Sequence, residues 1–164
     1  MNVRLLAPGD AVACDEVLAS LPYFFGQPDG IEACARAVCT QRGWVAEDAD
    51  EIVAFVTVEV IFPETVEITW LAVRSDRRRG GIGHALVERV TDDAAQSGAQ
   101  LVVVETLGPS VAEPGVIDGY EGTRAFYARV GFLPVKEVQL RDWNSDSAIL
   151  LARVLTGSRR GRPR

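Results

Sequence analysis

The residues best placed to do chemistry in this chain of 164 residues run from Leu71 to Leu86. They read Leu71-Ala72-Val73-Arg74-Ser75-Asp76-Arg77-Arg78-Arg79-Gly80-Gly81-Ile82-Gly83-His84-Ala85-Leu86. An apolar run stops, arginines and glycines follow, and an amphipathic pattern begins, which is the order strand, tight loop, helix. Glycine lets the backbone approach a ligand closely and take φ > 0 without strain. The start of a helix offers unpaired N–H groups and the positive end of its dipole, and so binds phosphate. Arg78 and Arg79 add charge with planar donors that suit phosphate oxygens. The chemistry implied is the binding of a phosphate-bearing ligand at residues 78–84.

Two known phosphate loops fail here. A Walker loop needs Lys followed by Ser or Thr, and no such pair occurs. The dinucleotide fingerprint G-x-G-x-x-G matches at Gly81-Ile82-Gly83, but Leu86 stands where its third glycine belongs. That counts against a nucleotide-binding oxidoreductase. What fits is R-x-x-G-x-G, as Arg78-Arg79-Gly80-Gly81-Ile82-Gly83. It resembles the acyl-CoA signature of the GNAT N-acetyltransferase superfamily. A second stretch, Thr123-Arg124-Ala125-Phe126-Tyr127-Ala128-Arg129-Val130-Gly131-Phe132, is similar to that family's late helix, F-Y-x-x-x-G-F.

The elements that must position these residues follow from periodicity and breakers. Strands are predicted at 3–7, 44–47, 52–62, 66–73, 101–106, 132–140 and 148–154. Helices are predicted at 10–21 with Asp10 as N-cap, from 31 to a stop at Gly43, from the glycine loop to 97, and at 120–130. Pro22 ends the first helix, and an aromatic loop, Tyr23-Phe24-Phe25-Gly26-Gln27-Pro28, follows. Residues 48–51 and 142–146 read as turns, and 107–119 as a long irregular loop. The order β-α-α-β-β-β-α-β-α-β-β resembles the GNAT fold along its length. The expectation is an α/β (α+β) fold in a single domain over residues 1–156. It has a central mixed, mostly antiparallel sheet of about seven strands with four helices, and a V-shaped splay between the fourth and fifth strands.

The resemblance implies an acetyl-CoA-dependent N-acetyltransferase with no metal. It sets the backbone of Leu71, Ala72 and Val73 against the pantetheine arm. It gives the pyrophosphate to the N–H groups from Arg79 through Gly80, Gly81, Ile82 and Gly83 to His84, with Arg78 at the first motif position. The His84 side chain is read as a bystander, and Arg74 or Arg77 could reach the 3′-phosphate. The aromatic loop borders the acceptor pocket or packs as a lid. Tyr127 falls on the family's acid tyrosine, which protonates the leaving thiolate. Phe126 and Val130 are read as the packing stripe of that helix, with Tyr127 off it. The family often carries Asn seven residues before this tyrosine; here Tyr120 stands there, and Thr123 or Arg124 is left to hold the cofactor arm.

An ammonium with a pKa near ~10.4 must lose a proton before it attacks. Glu67 is the first candidate base, six positions before Val73, and a period of two sets it on one face with Thr69, Leu71 and Val73. By resemblance, the same offset carries the base in histone-modifying members. Glu105 and Glu59 are the second and third candidates. The competing reading is a non-catalytic acyl-CoA-binding module of the same fold.

Composition bounds the partners. Seventeen basic residues face 23 acidic ones, for a net charge of −6. Four of the basic residues, Arg159, Arg160, Arg162 and Arg164, sit in a tail at 157–164 expected to be disordered, so the body is more acidic still. That argues against nucleic acid and suits a cationic amine, whether small molecule or peptide. No apolar run reaches membrane-spanning length and no secretory leader is read, so no membrane partner and a cytoplasmic location are expected. Cys14, Cys34 and Cys39 have no metal-site spacing and read as small core residues. A homodimer is common in the family, but no residue here specifies one.

Overall fold

The glycine loop joins β4 (Thr65–Val73) to α3 (Ile82–Gln96) in the computed structural model, which describes residues 1–24, 28–109, 119–139 and 147–155. The other elements are β1 (Asn2–Leu5), α1 (Ala11–Ala19), α2 (Pro28–Thr40), β2 (Arg42–Asp48), β3 (Glu51–Phe62), β5 (Leu101–Leu107), α4 (Glu121–Arg129), β6 (Leu133–Gln139) and β7 (Ser147–Val154). The strand order is β1-β2-β3-β4-β5-β7-β6. The α/β class, the seven strands and the four helices are as expected. Phe25, most of the 107–119 loop, the 142–146 turn and the 157–164 tail lie outside the described residues.

The residues divide into two compact units. The first is Met1–Val60 with Ile68–Asp93. Its strands β1, β2 and β3 pair antiparallel, with Val3 opposite Ala46 and Val45 opposite Phe55. The β2–β3 turn places both Ala49 and Asp50 at positive φ, 51° and 64°. Two such residues give the twist that joins neighbouring antiparallel strands tightly. Cys14, Val17 and Leu18 of α1 and Cys34 and Val38 of α2 pack on Val45, Phe55 and Ala72. Each large apolar side chain so buried contributes about 1.5–3 kcal/mol. Leu86, Val87 and Val90 of α3 are buried, as their spacing predicts.

Three local readings change. Gly43 does not stop α2; it lies within β2, where a Cβ would collide with the Val56 carbonyl oxygen. Its role is close strand approach, not helix termination. Cys14 and Cys34 are core residues, with burial pushing both thiols up to about 12. Cys39 is exposed, because it falls on the outer face of α2.

Asp10 precedes α1, but its side chain does not cap that helix. Its carboxylate accepts the Ala7 amide at 2.8 Å and both Nη atoms of Arg4 at 2.7 and 2.9 Å. Arg4 Nε also donates to Glu47 at 2.7 Å, so one guanidinium ties β1 to β2 and to the turn before α1. The Arg4 hydrogen bonds hold the Asp10 carboxyl below its ordinary range. A lowered folded-state pKa gives stability that is present above the unfolded value of ~3.9 and lost as pH falls through the folded value. Asp10→Ala should therefore cost about 2 kcal/mol at neutral pH, since it removes a bidentate charge-assisted pair with Arg4 and the acceptor of the Ala7 amide, leaving Arg4 only its Glu47 and Leu5 partners. That corresponds to a melting temperature lower by roughly 4–8 °C. The gap from wild type should close as the pH drops below 4, which thermal melts across a pH series would show.

The second unit is Ile61–Glu67 with the chain from Ala94 onward. Here the Glu64 carbonyl accepts the amides of Gln100 and Leu101, at 2.8 and 3.0 Å. The starts of β4 and β5 are thus neighbours, and the two strands run parallel. β7 lies between β5 and β6, antiparallel to both. At α4 the packing differs in part from expectation. Val130 is buried as read, but Tyr127 is buried too, at 5% exposure, while Phe126 is only half-buried. The Tyr127 ring meets Phe126 and Phe132 edge-on, at 5.1 and 5.3 Å between centroids. Phe132, just past the Gly131 turn at φ 89°, folds back onto this face of the helix and covers the tyrosine.

Candidate active site

The glycine loop begins where β4 ends. Ser75–Arg77 form one 3-10 turn, and Arg78 is extended. Arg79 then takes φ 64° and Gly81 φ 81°. A left-handed arginine is costly for an L-residue, and such strain persists where the surroundings enforce it, often at ligand sites. Alternating left-handed residues turn successive N–H groups inward to form a concavity for anions. The first helical hydrogen bond runs from Ala85 N to Gly81 O at 3.0 Å. The amides of Ile82, Gly83 and His84 precede it and have no intrahelical acceptor. A Cβ built on Gly81 meets nothing within 4 Å. The residues present therefore fit a pyrophosphate: an open floor, three amides and the positive end of α3.

The arginines divide into struts and charges. Arg74 pairs with Asp76 at 2.8 Å and Glu51 at 3.1 Å, and Arg77 with Asp48 at 2.8 Å. These pairs fasten the loop to the β2–β3 turn. Arg78 carries its guanidinium 4.5 Å above the Phe24 ring, and burial lowers its pKa. Phe24 also packs against the α1–α2 core, which makes it part of a lid on that core. The His84 side chain is 60% exposed, with Nε2 3.4 Å from Glu88 Oε1 one turn further along α3.

Of the candidate bases, Glu67 is half-buried on β4 and has interactions of its own, whereas Glu59 and Glu105 are exposed. Tyr127 is enclosed, and burial alone raises its pKa above the ordinary phenol value. Thr123 and Arg124 are half-buried on α4, and Arg124 Nη1 donates to the Leu107 carbonyl at 2.9 Å. Among the described residues no three His, Cys, Asp or Glu side chains gather as a metal site, and no helix is long and apolar enough to cross a membrane.

On β4, Val66, Ile68 and Ala72 are buried while Glu67, Thr69, Leu71 and Val73 are all half-buried. Thr69 Oγ lies 2.8 Å from Thr57 Oγ, and Ala72 belongs to the same buried cluster as Phe55. Gln41 is a residue the sequence did not flag: Thr69 Oγ donates to its Oε1 at 2.5 Å. It sits between α2 and β2 in no motif, so nothing local marks it.

Comparison with known proteins agrees with this geometry. No curated protein matches the chain. Among solved structures, the ribosomal-protein-S18-alanine N-acetyltransferase from Escherichia coli superposes with TM-score 0.77 at 16% identity, covering 99% of each chain. An aminoglycoside 6′-N-acetyltransferase from Enterococcus faecium gives 0.74 at 19%, covering 100% of each. A further aminoglycoside 6′-N-acetyltransferase, solved in complex with coenzyme A, gives 0.74 at 19%, again over 100% of each. At these identities the likeness speaks for the fold. The family model for the GNAT acetyltransferase domain matches residues 40–134, from the Thr40–Gln41 junction through the glycine loop and α4 to the start of β6. With more than half its length matched, and with a glycine-rich loop of this build at the head of α3, the chain belongs to the GNAT acetyltransferase family.

Proposed function

We propose that this protein is an acetyl-CoA-dependent N-acetyltransferase that passes the acetyl group directly to a primary amine. The observation that carries this reading is the glycine loop, where positive φ at Arg79 and Gly81 opens onto the first amides of α3. Those amides hold the pyrophosphate, Arg78 exchanges its Phe24 contact for the phosphate charge, and the backbone of Leu71, Ala72 and Val73 aligns the pantetheine arm. Thr123 and Arg124 stand in for the family's missing asparagine.

Glu67 takes the proton from the substrate ammonium. The freed amine forms a C–N bond at the thioester carbonyl, and collapse of the tetrahedral intermediate breaks the C–S bond. Tyr127 gives its proton to the departing sulfur, and solvent restores both residues. A phenol made less acidic by burial suits this role only because the same dry surroundings make the thiolate more basic. The acidic body attracts a cationic acceptor, and the similar structures named above are N-acetyltransferases of ribosomal-protein-S18 alanine and of aminoglycosides, which supports an amine acceptor.

Thiol release with acetyl-CoA and a panel of amines tests the reading. Acetyl-CoA binding without transfer to any amine would instead support the non-catalytic module. Glu67→Gln should flatten the rising acidic limb of kcat/KM against pH and lower its plateau by roughly 100-fold. A limb that survives unchanged would move the base to Glu105, Glu59 or water.

A further inference from the structure

Strand pairing sorts the side chains of β5, β7 and β6 onto two faces, because residues opposite one another across a ladder point the same way. Arg153 marks the face toward α4, since a Cβ on Gly131, just past that helix, would lie 3.6 Å from its side chain. The even-numbered residues of β7 mark the other face. Leu150 stands at its centre, opposite Glu105 of β5 on one side and Lys136 of β6 on the other. The rows next to this one are apolar: Val103, Ala152 and Leu133 toward one end, Leu107, Ala148 and Val138 toward the other. Among those six only Val103 is buried, and Leu133 is 68% exposed. Val154, at the end of β7, is exposed to the same extent. Soluble monomers seldom leave a contiguous apolar face open, and an open one marks contact with another macromolecule.

Charge identifies the partner. Glu105 and Lys136 are both exposed, and neither has a hydrogen-bond or ion-pair partner among the described residues. Two strand spacings of about 4.8 Å keep them from meeting each other. The face thus carries one negative and one positive point, set on either side of Leu150 in apolar surroundings. Such a pattern is complementary to itself. A second copy stacks on it about a two-fold axis that lies between the two sheets, in one of two directions. An axis along the row of charges would put Glu105 over Glu105 and Lys136 over Lys136. An axis along β7 puts each Glu105 over the Lys136 of the other copy, with Leu150 over Leu150 and apolar rows over apolar rows. Both directions keep the aligned packing that stacked sheets prefer, and only the second satisfies the charges. Joining copies along the outer edge of β6 is disfavoured, because Pro134 and the register shift beside it blunt that edge.

We propose that this face of β5, β7 and β6 is the surface on which two copies of the chain dimerise, held in register by two symmetry-related Glu105–Lys136 ion pairs around Leu150. The contact is isologous, so both charges of each copy are used within one pair of copies and the assembly closes at two. This goes beyond the acyl-transfer reading and does not depend on it.

The test is sedimentation equilibrium of the full chain over a concentration series, where the wild type should be a dimer. Lys136→Glu sets carboxylates against each other at both contacts, and Glu105→Lys sets ammonium groups against each other. Each should raise the dimer dissociation constant at least about 100-fold. Both positions are exposed, so the far-UV spectrum should stay that of the wild type. Mixed in equal amounts, the two single variants should dimerise again, because every contact between them joins a lysine to a glutamate. The double variant Glu105→Lys/Lys136→Glu should dimerise by itself for the same reason. A wild type that stays monomeric throughout would overturn the inference and give the face to a different partner. A dimer that both single variants leave intact, or single variants that do not recombine, would overturn it as well.

Discussion

Gly81→Val is expected to weaken CoA binding by at least ~100-fold, about 3 kcal/mol, while the protein remains folded. Two effects act at the same place. Gly81 has φ 81°, where an L-residue pays roughly 1–2 kcal/mol and a β-branched one more, so the loop would relax to another conformation. That relaxation turns the amides of Ile82 and Gly83 away from a common focus. If the backbone instead held its shape, the new Cβ would project into the open space that admits the phosphate, since nothing in the protein lies within 4 Å of it. For the same reason no core contact is lost, and the melting temperature should move only by the strain at one exposed turn. Gly122, on α4 with a Cβ equally unobstructed, serves as a control, and Gly122→Ala should bind CoA normally. Calorimetric titration with CoA reads the result directly. Binding within a few-fold of wild type would take the pyrophosphate away from this loop and leave the acyl-transfer assignment without its anchor.

Tyr127→Phe is expected to lower kcat by about 100-fold with CoA affinity near wild type. The phenyl ring preserves the edge contacts with Phe126 and Phe132, so the helix should pack as before and the missing hydroxyl is the variable. The pH profile sharpens the test. Burial raises the Tyr127 pKa, which keeps the acid form present across the range where an ordinary phenol, near ~10, would begin to ionise. The alkaline side of the wild-type rate should accordingly stay flat through pH 10, and the phenylalanine variant should have the same shape at a lower level. A variant that turns over at the wild-type rate would make Tyr127 a packing residue alone. A wild-type rate that falls below pH 10 would assign that limb to another group.

Much of this protein was legible in one dimension. The glycine loop, the order of strands and helices, the apolar stripe of α3 and the turn at Ala49 and Asp50 all rest on neighbours within a few residues. Periodicity, breakers and backbone freedom are local properties, so sequence spacing by itself determined them. It also determined where a left-handed turn would open the head of α3, because glycine at Gly81 permits a conformation that few other residues accept.

The tertiary structure decided which groups meet. In the sequence nothing marks partners for Arg74 and Arg77, and the fold pairs them with carboxylates 23 and 29 positions away, at the β2–β3 turn. Asp10 looks like a helix cap, but Arg4 and the Ala7 amide take its oxygens. Tyr127 lies off the stripe that spacing alone marks on α4, and Phe132 arriving past Gly131 makes it the buried face. Thr69 acquires its partners only because the fold brings Thr57 of β3 and Gln41 after α2, 12 and 28 residues distant, within hydrogen-bond reach. Backbone conformation is set by each residue and its near neighbours, whereas hydrogen-bond partners and buried faces depend on register and packing between segments far apart in the chain.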